Sequence, residues 1–167
     1  MVFNFTKNYQ FSSRMSVENE TLETISETKL LGVMINETLS WDSNTDFIVK
    51  RANSRMRLLH KLVQFNVPEK DLITIYILFI RSILEQSATV WHSSLTDEHS
   101  NDLERVQKSA LKVILQEKYK DYQKGLARLN LETLKERREY LCLEFATKCA
   151  KSKKMCHMFP KKQSHTK

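Results

Sequence analysis

The spacing of apolar residues changes character near residue 41. Before it, apolar positions alternate with polar ones or gather in short, partly β-branched runs: Phe3 and Phe5, then Leu22 and Ile25, then Leu30 to Ile35. This pattern predicts two or three short strands within residues 1–36, separated by the polar, acidic stretch 16–20. Strands so short are marginal alone and must pair or pack on helices. After Trp41 apolar residues fall at Ile48, Ala52, Met56, Leu59, Leu62 and Val63, the stripe of a helix that Asp42, Ser43 or Asn44 can cap. Pro68 and Glu69 open a second helix that reaches about Trp91. It is apolar on most faces from Leu72 to Leu84, which predicts a central, buried position. Asp97 is placed to cap a third, with Leu103, Val106, Ala110, Val113 and Ile114 inward. After a short segment at 119–129 a fourth begins near Leu131, with Leu134, Leu141, Phe145 and Cys149 as its stripe.

The fold class expected is therefore mainly α: a short N-terminal β-hairpin segment (1–40), a bundle of about four helices (41–152) and a basic, disordered tail (153–167). Composition agrees. Two glycines and two prolines are far below usage of about 7% and 5%, and all-β folds need such residues at their turns. The net charge of +7 is carried by the tail: residues 148–167 hold seven lysines and no acid, and without them basic and acidic residues balance at 20 each. A basic tail attracts nucleic acid or anionic membrane, yet a solvated terminal segment is the more ordinary reading.

Chemistry is sparse. The six aspartates (Asp42, Asp46, Asp71, Asp97, Asp102, Asp121) include no adjacent pair, and several fall at helix starts where capping accounts for them. Cys149, Cys156 and His157 have the wrong spacing for a zinc site. No Gly-rich phosphate loop or nucleophile elbow occurs. The reading is a non-enzyme with no metal and no cofactor. No charged leader precedes a long apolar run at the N-terminus, and the apolar stretch 72–84 falls short of a membrane span of about 18 residues. Three unpaired cysteines fit a reducing compartment. An intracellular protein, cytoplasmic or nuclear and with no membrane partner, is expected.

The densest binding feature is the first helix, where Lys50, Arg51, Arg55, Arg57 and Lys61 lie within twelve residues. Lys50, Ser54, Arg57 and Lys61 share one face by their i, i+4, i+7, i+11 spacing. Such a ridge can follow a phosphate backbone. The same residues also fit the solvated face of an ordinary amphipathic helix, and the residues alone leave both readings open.

The order of the pieces is more specific. Lys29-Leu-Leu-Gly-Val-Met-Ile35 precedes Leu39-Ser-Trp41 and the basic Lys50-Arg-Ala-Asn53. Then come Ile80-Arg-Ser-Ile-Leu-Glu85, Val90-Trp91, Leu103-Glu-Arg-Val-Gln107, Tyr119, Tyr122 and Leu134-Lys-Glu-Arg-Arg138. Together, from about residue 2 to 160, they resemble the C-terminal part of reverse transcriptases from non-LTR retrotransposons, the jockey- and CR1-like LINE elements. The resemblance implies that Leu31 and Gly32 lie in the primer-grip hairpin and that the helices after Trp41 form a thumb along a template–primer duplex. Lys50, Arg51, Arg55, Arg57 and Lys61 would then meet its phosphates. The family's metal-binding aspartates have no counterpart here. Leu30 and Gln86 replace residues that are commonly aromatic. The resemblance therefore implies a catalytically inactive fragment that grips an RNA–DNA or DNA duplex. The alternatives are a helical module that binds a separate polymerase or itself through exposed apolar surface (Phe3, Phe5, Leu31, Val33, Ile35), or a remnant reading frame without function.

Overall fold

The computed structural model describes residues 16–18, 20, 21, 23, 25–155 and 157. It is mainly helical (69%), with an antiparallel two-stranded hairpin followed by five packed helices. Phe3, Phe5, Leu22 and the distal tail lie outside the described residues.

The polar stretch expected to separate strands instead holds two minimal ones, β1 (Ser16–Val17) and β2 (Glu20–Thr21), paired antiparallel. The apolar run at 29–35 is not one strand but the turn of a hairpin. β3 (Glu27–Leu30) pairs with β4 (Val33–Asn36), Leu30 opposite Val33. The turn residues Leu31 and Gly32 have φ of 49° and 88°, the backbone that a two-residue hairpin turn of right-handed twist demands. Val33 faces inward and is buried.

The first long helix, α1 (Asp42–Gln64), buries Ile48, Ala52, Met56 and Leu59 as its stripe predicts. Its start corrects the capping expectation: Trp41 occupies the cap and no side chain bonds there. Asn44 is buried instead, its Oδ1 accepting the Met34 amide at 3.1 Å, which pins β4 to the helix. The second helix is not one continuous α-helix. It comprises α2 (Glu69–Ile75), a π-helical turn (Tyr76–Arg81) and α3 (Ser82–Leu84), then breaks at residues 85–87 before α4 (Ala88–Trp91). Ser87 turns left-handed there, at φ 54°. One face of this run joins the core as expected, through Leu72, Tyr76, Ile80, Leu84, Ala88 and Trp91, but Leu78, Phe79 and Val90 are exposed, so the run is not buried all round. By length and composition alone the interrupted run Glu69–Ser94 is apolar enough to cross a membrane, with mean hydropathy 1.3, as a core helix also can be, and it is longer than the 72–84 stretch suggests.

Next comes α5 (Asp97–Leu115), capped by Thr96, whose side chain accepts the His99 amide; Asp97 lies inside the first turn instead of capping it. Leu103, Val106, Ala110 and Ile114 are buried, as are Gln107, Leu111 and Leu115, while Val113 is only half-buried. The segment at 119–129 contains a helix of its own, α6 (Tyr122–Leu129), capped by Asp121. This helix raises the bundle from about four to five. The last helix, α7 (Leu134–Lys151), starts three residues later than expected, behind a capping box of Thr133 and Glu136. Its buried face holds Leu134, Arg138 and Cys149, whereas Phe145 is exposed.

A polar network joins four of these helical elements: the π turn, α5, α6 and the start of α7. The Tyr76 hydroxyl donates to Gln107 Oε1 at 2.5 Å. Gln107 Nε2 donates to the Tyr122 hydroxyl at 2.8 Å and the Glu132 carbonyl at 2.9 Å. Tyr122 in turn donates to Glu104, whose carboxylate accepts the Leu134 amide at the start of α7. Burial pushes both phenols above their usual range. They therefore act here as neutral hydrogen-bonding groups.

Candidate functional site

Arg51 of α1 and Gly32 at the tip of the β3–β4 hairpin both reach Gln86 in the helix break. Between Asp46 and Glu69 the chain contains no acidic residue, so the basic residues of α1 have no in-helix carboxylate three or four places away after Lys50. Lys50, Ser54, Arg57 and Lys61 are all exposed, along with Arg55. Among the described residues none of the five cations forms an ion pair with a carboxylate. Lys61 lies in the last turn, where a positive charge also complements the helix dipole.

Arg51 differs from the others. It is half-buried, its guanidinium carbon 5.3 Å from the centre of the Phe47 ring, and its NH1 donates to Gln86 Oε1 at 3.0 Å. Lys29 of β3 places its Nζ 4.6 Å from the same ring. Gln86 is fixed from a second direction, since its carbonyl accepts the Trp91 indole N–H at 3.0 Å. The hairpin closes on this residue: a Cβ added at Gly32 would stand 2.4 Å from Gln86 Nε2. So Gly32 satisfies two demands, a positive φ and a close approach. Its neighbour Leu31 points away from the body at 91% exposure. Of the expected apolar surface only this residue is largely exposed among the described residues; Val33 is buried and Ile35 packs on the core.

The site residues named from the sequence thus divide. Lys50, Arg57 and Lys61 share a free exposed face, Arg55 is exposed on its flank, and Arg51 joins the hairpin to the helix break. Sequence reading missed Lys29, Phe47 and Gln86. Phe47 stands four residues before Arg51, a helical spacing that could have suggested the ring–cation contact. Gln86 carries no local signal, because its partners lie 35 residues away on α1 and on the hairpin. The dipeptide Arg137–Arg138 also gains meaning: Arg138 is fully buried, bonded to Ser100 Oγ at 2.8 Å and His92 Nδ1 at 3.4 Å. Among the described residues no group of three or more metal-ligating side chains comes together.

Comparison of the chain with protein-family models, with curated proteins and with solved structures finds no match.

Proposed function

We propose that this chain binds the phosphate backbone of an RNA–DNA or DNA duplex without sequence preference and without catalysis, as the thumb-like part of a non-LTR retrotransposon reverse transcriptase would. The observation that carries the reading is the ridge of Lys50, Arg57 and Lys61 on α1, exposed and without carboxylate partners among the described residues. A row of cations one to two helical turns apart releases counterions when it meets phosphates. The resemblance in motif order supports the same reading. Arg51, engaged with Gln86, acts in it by holding the hairpin beside the ridge and not by contacting phosphate.

The test is the salt dependence of duplex binding, followed by fluorescence anisotropy. Reversing Lys50, Arg57 and Lys61 to Glu flattens the log–log slope by about 0.9 for each B-DNA phosphate that is no longer neutralised. A slope unchanged by the triple reversal sinks the assignment. The same measurement on chain lacking residues 148–167 separates the ridge from the basic tail. Primer extension with added divalent metal should be blank, and nucleotide incorporation by the purified chain contradicts the non-catalytic reading.

A second reading, a helical interaction module, is favoured by exposed apolar side chains: Leu31 on the hairpin and Tyr140, Leu143 and Phe145 on α7. It predicts self-association in size-exclusion chromatography without nucleic acid. A monomeric elution speaks against self-association.

A further inference from the structure

The π-helical turn ends at Arg81, and π turns frequently mark functional sites. Arg81 sits in a cleft of about 350 Å³ whose walls include Ile77 from the same turn and Asn130, Glu132 and Arg137 from across the bundle. Among the largely buried side chains around it the charges do not balance. Arg137 takes both oxygens of Glu85 as a fork, Nε to Oε1 at 2.9 Å and NH2 to Oε2 at 3.1 Å. Arg81 Nε lies 3.6 Å from Glu85 Oε1, an ion pair but no hydrogen bond, and it is buried without an acceptor. The three side chains are only 14% (Arg81), 13% (Glu85) and 24% (Arg137) exposed. Two guanidiniums therefore share one carboxylate in a desolvated setting, leaving one excess positive charge and an unsatisfied donor. An uncompensated buried charge is costly, and a second anion in the cleft would offset it. Glu132 supplies negative charge only from an exposed position. Guanidinium groups match the two acceptor oxygens of a phosphate or carboxylate.

We infer that the cleft between the π turn and the start of α7 binds a small oxyanion, a phosphate or carboxylate group, through Arg81. This site is separate from the ridge of α1 and does not rest on the nucleic-acid reading. The test is titration of the full chain with inorganic phosphate, and in a second arm with acetate, while the Arg81 Nε–H resonance is followed by ¹⁵N–¹H NMR. A saturable shift in either arm supports the site, and the arm that saturates more tightly names the oxyanion. Arg81→Gln should weaken binding by roughly tenfold or more. Glu132→Gln, a change at an exposed position, should tighten it about two- to fivefold by removing the competing charge. If Arg81→Gln fails to fold, Glu132→Gln decides: unchanged affinity overturns the site. No shift at all overturns it, and so does an equal shift from sodium chloride at matched ionic strength, which would mean an adventitious ion only.

Discussion

Gly32 is held by two constraints at once. At φ 88° an L side chain is strained, and a Cβ would press on Gln86 Nε2. Gly32→Ala should lower stability by about 1 kcal/mol from the backbone alone, and displacing Gln86 loosens its bond to Arg51 as well. Gly32→Asn, which tolerates the left-handed backbone better, should lose less in the backbone. Urea unfolding of the two variants checks the order. Leu31, in the same turn at φ 49°, shows a different economy: an apolar side chain is kept in a sparsely populated backbone region and pointed at solvent. The apolar pattern around this turn reads as a strand run, and a hairpin at Leu31 and Gly32 is implied only by the family resemblance. The contact of Gly32 with Gln86 is not legible either, because that contact joins the hairpin to a helix break far along the chain.

At the scale of elements, helix ends and helix breaks differ in how they are encoded. The start of α7 is local: Thr133 accepts the Glu136 amide while Glu136 reaches back to the Thr133 amide. Thr133→Ala should cost about 1 kcal/mol, and thermal unfolding is the measurement. Hydrogen bonding to Thr133 also holds the Glu136 carboxyl below its usual range. The break at residues 85–87 has no such signature, neither glycine nor proline. Its three neighbours on other elements account for it: Arg51 on Gln86, Gly32 against Gln86, and Arg137 forked on Glu85. A pattern of apolar residues predicts a continuous helix through this region; packing across the bundle ends it. The π turn just upstream is likewise silent in the apolar spacing.

For the whole molecule, two polar devices set how the last helices dock. Gln107 links the π turn, α5, α6 and the segment leading to α7, through Tyr76, Tyr122 and the Glu132 carbonyl. Gln107→Leu leaves the Tyr76 hydroxyl and the Glu132 carbonyl without this partner and Tyr122 with only its bond to Glu104, and should cost about 3 kcal/mol, whereas Tyr76→Phe should cost about 1 kcal/mol. Chemical denaturation distinguishes them, and equal losses would mean that Gln107 is not the hub. The second device is pH-dependent. Burial, then the neighbouring Arg138, holds the His92 imidazole below its ordinary 6.5, against the pull of Glu139. Below about pH 6.5 the unfolded chain takes up a proton that the folded chain resists. Stability contributed by neutral His92 is therefore whole above that pH and falls as pH drops from there toward the lowered folded value. Urea midpoints measured across this window should fall less in His92→Gln than in the parent, and a parallel decline in both excludes His92 as the cause.

The amino-acid sequence by itself determined the class of fold, the stripes of α1 and α5, and the density of positive charge between Asp46 and Glu69. These are properties of residues three or four places apart, so a helix reads them directly. It also placed a strand segment around Gly32. Only the tertiary structure decided which of the five cations stays free, since Arg51 is taken by a partner 35 residues away. It also decided that 119–129 contains a helix, that Val33 turns inward, and that Arg138 belongs in the core while Phe145 does not. Each depends on which surfaces meet, and burial is assigned by neighbours in space instead of neighbours in the chain. The charge excess at Arg81 belongs to the same category, because Glu85 and Arg137 are 52 residues apart.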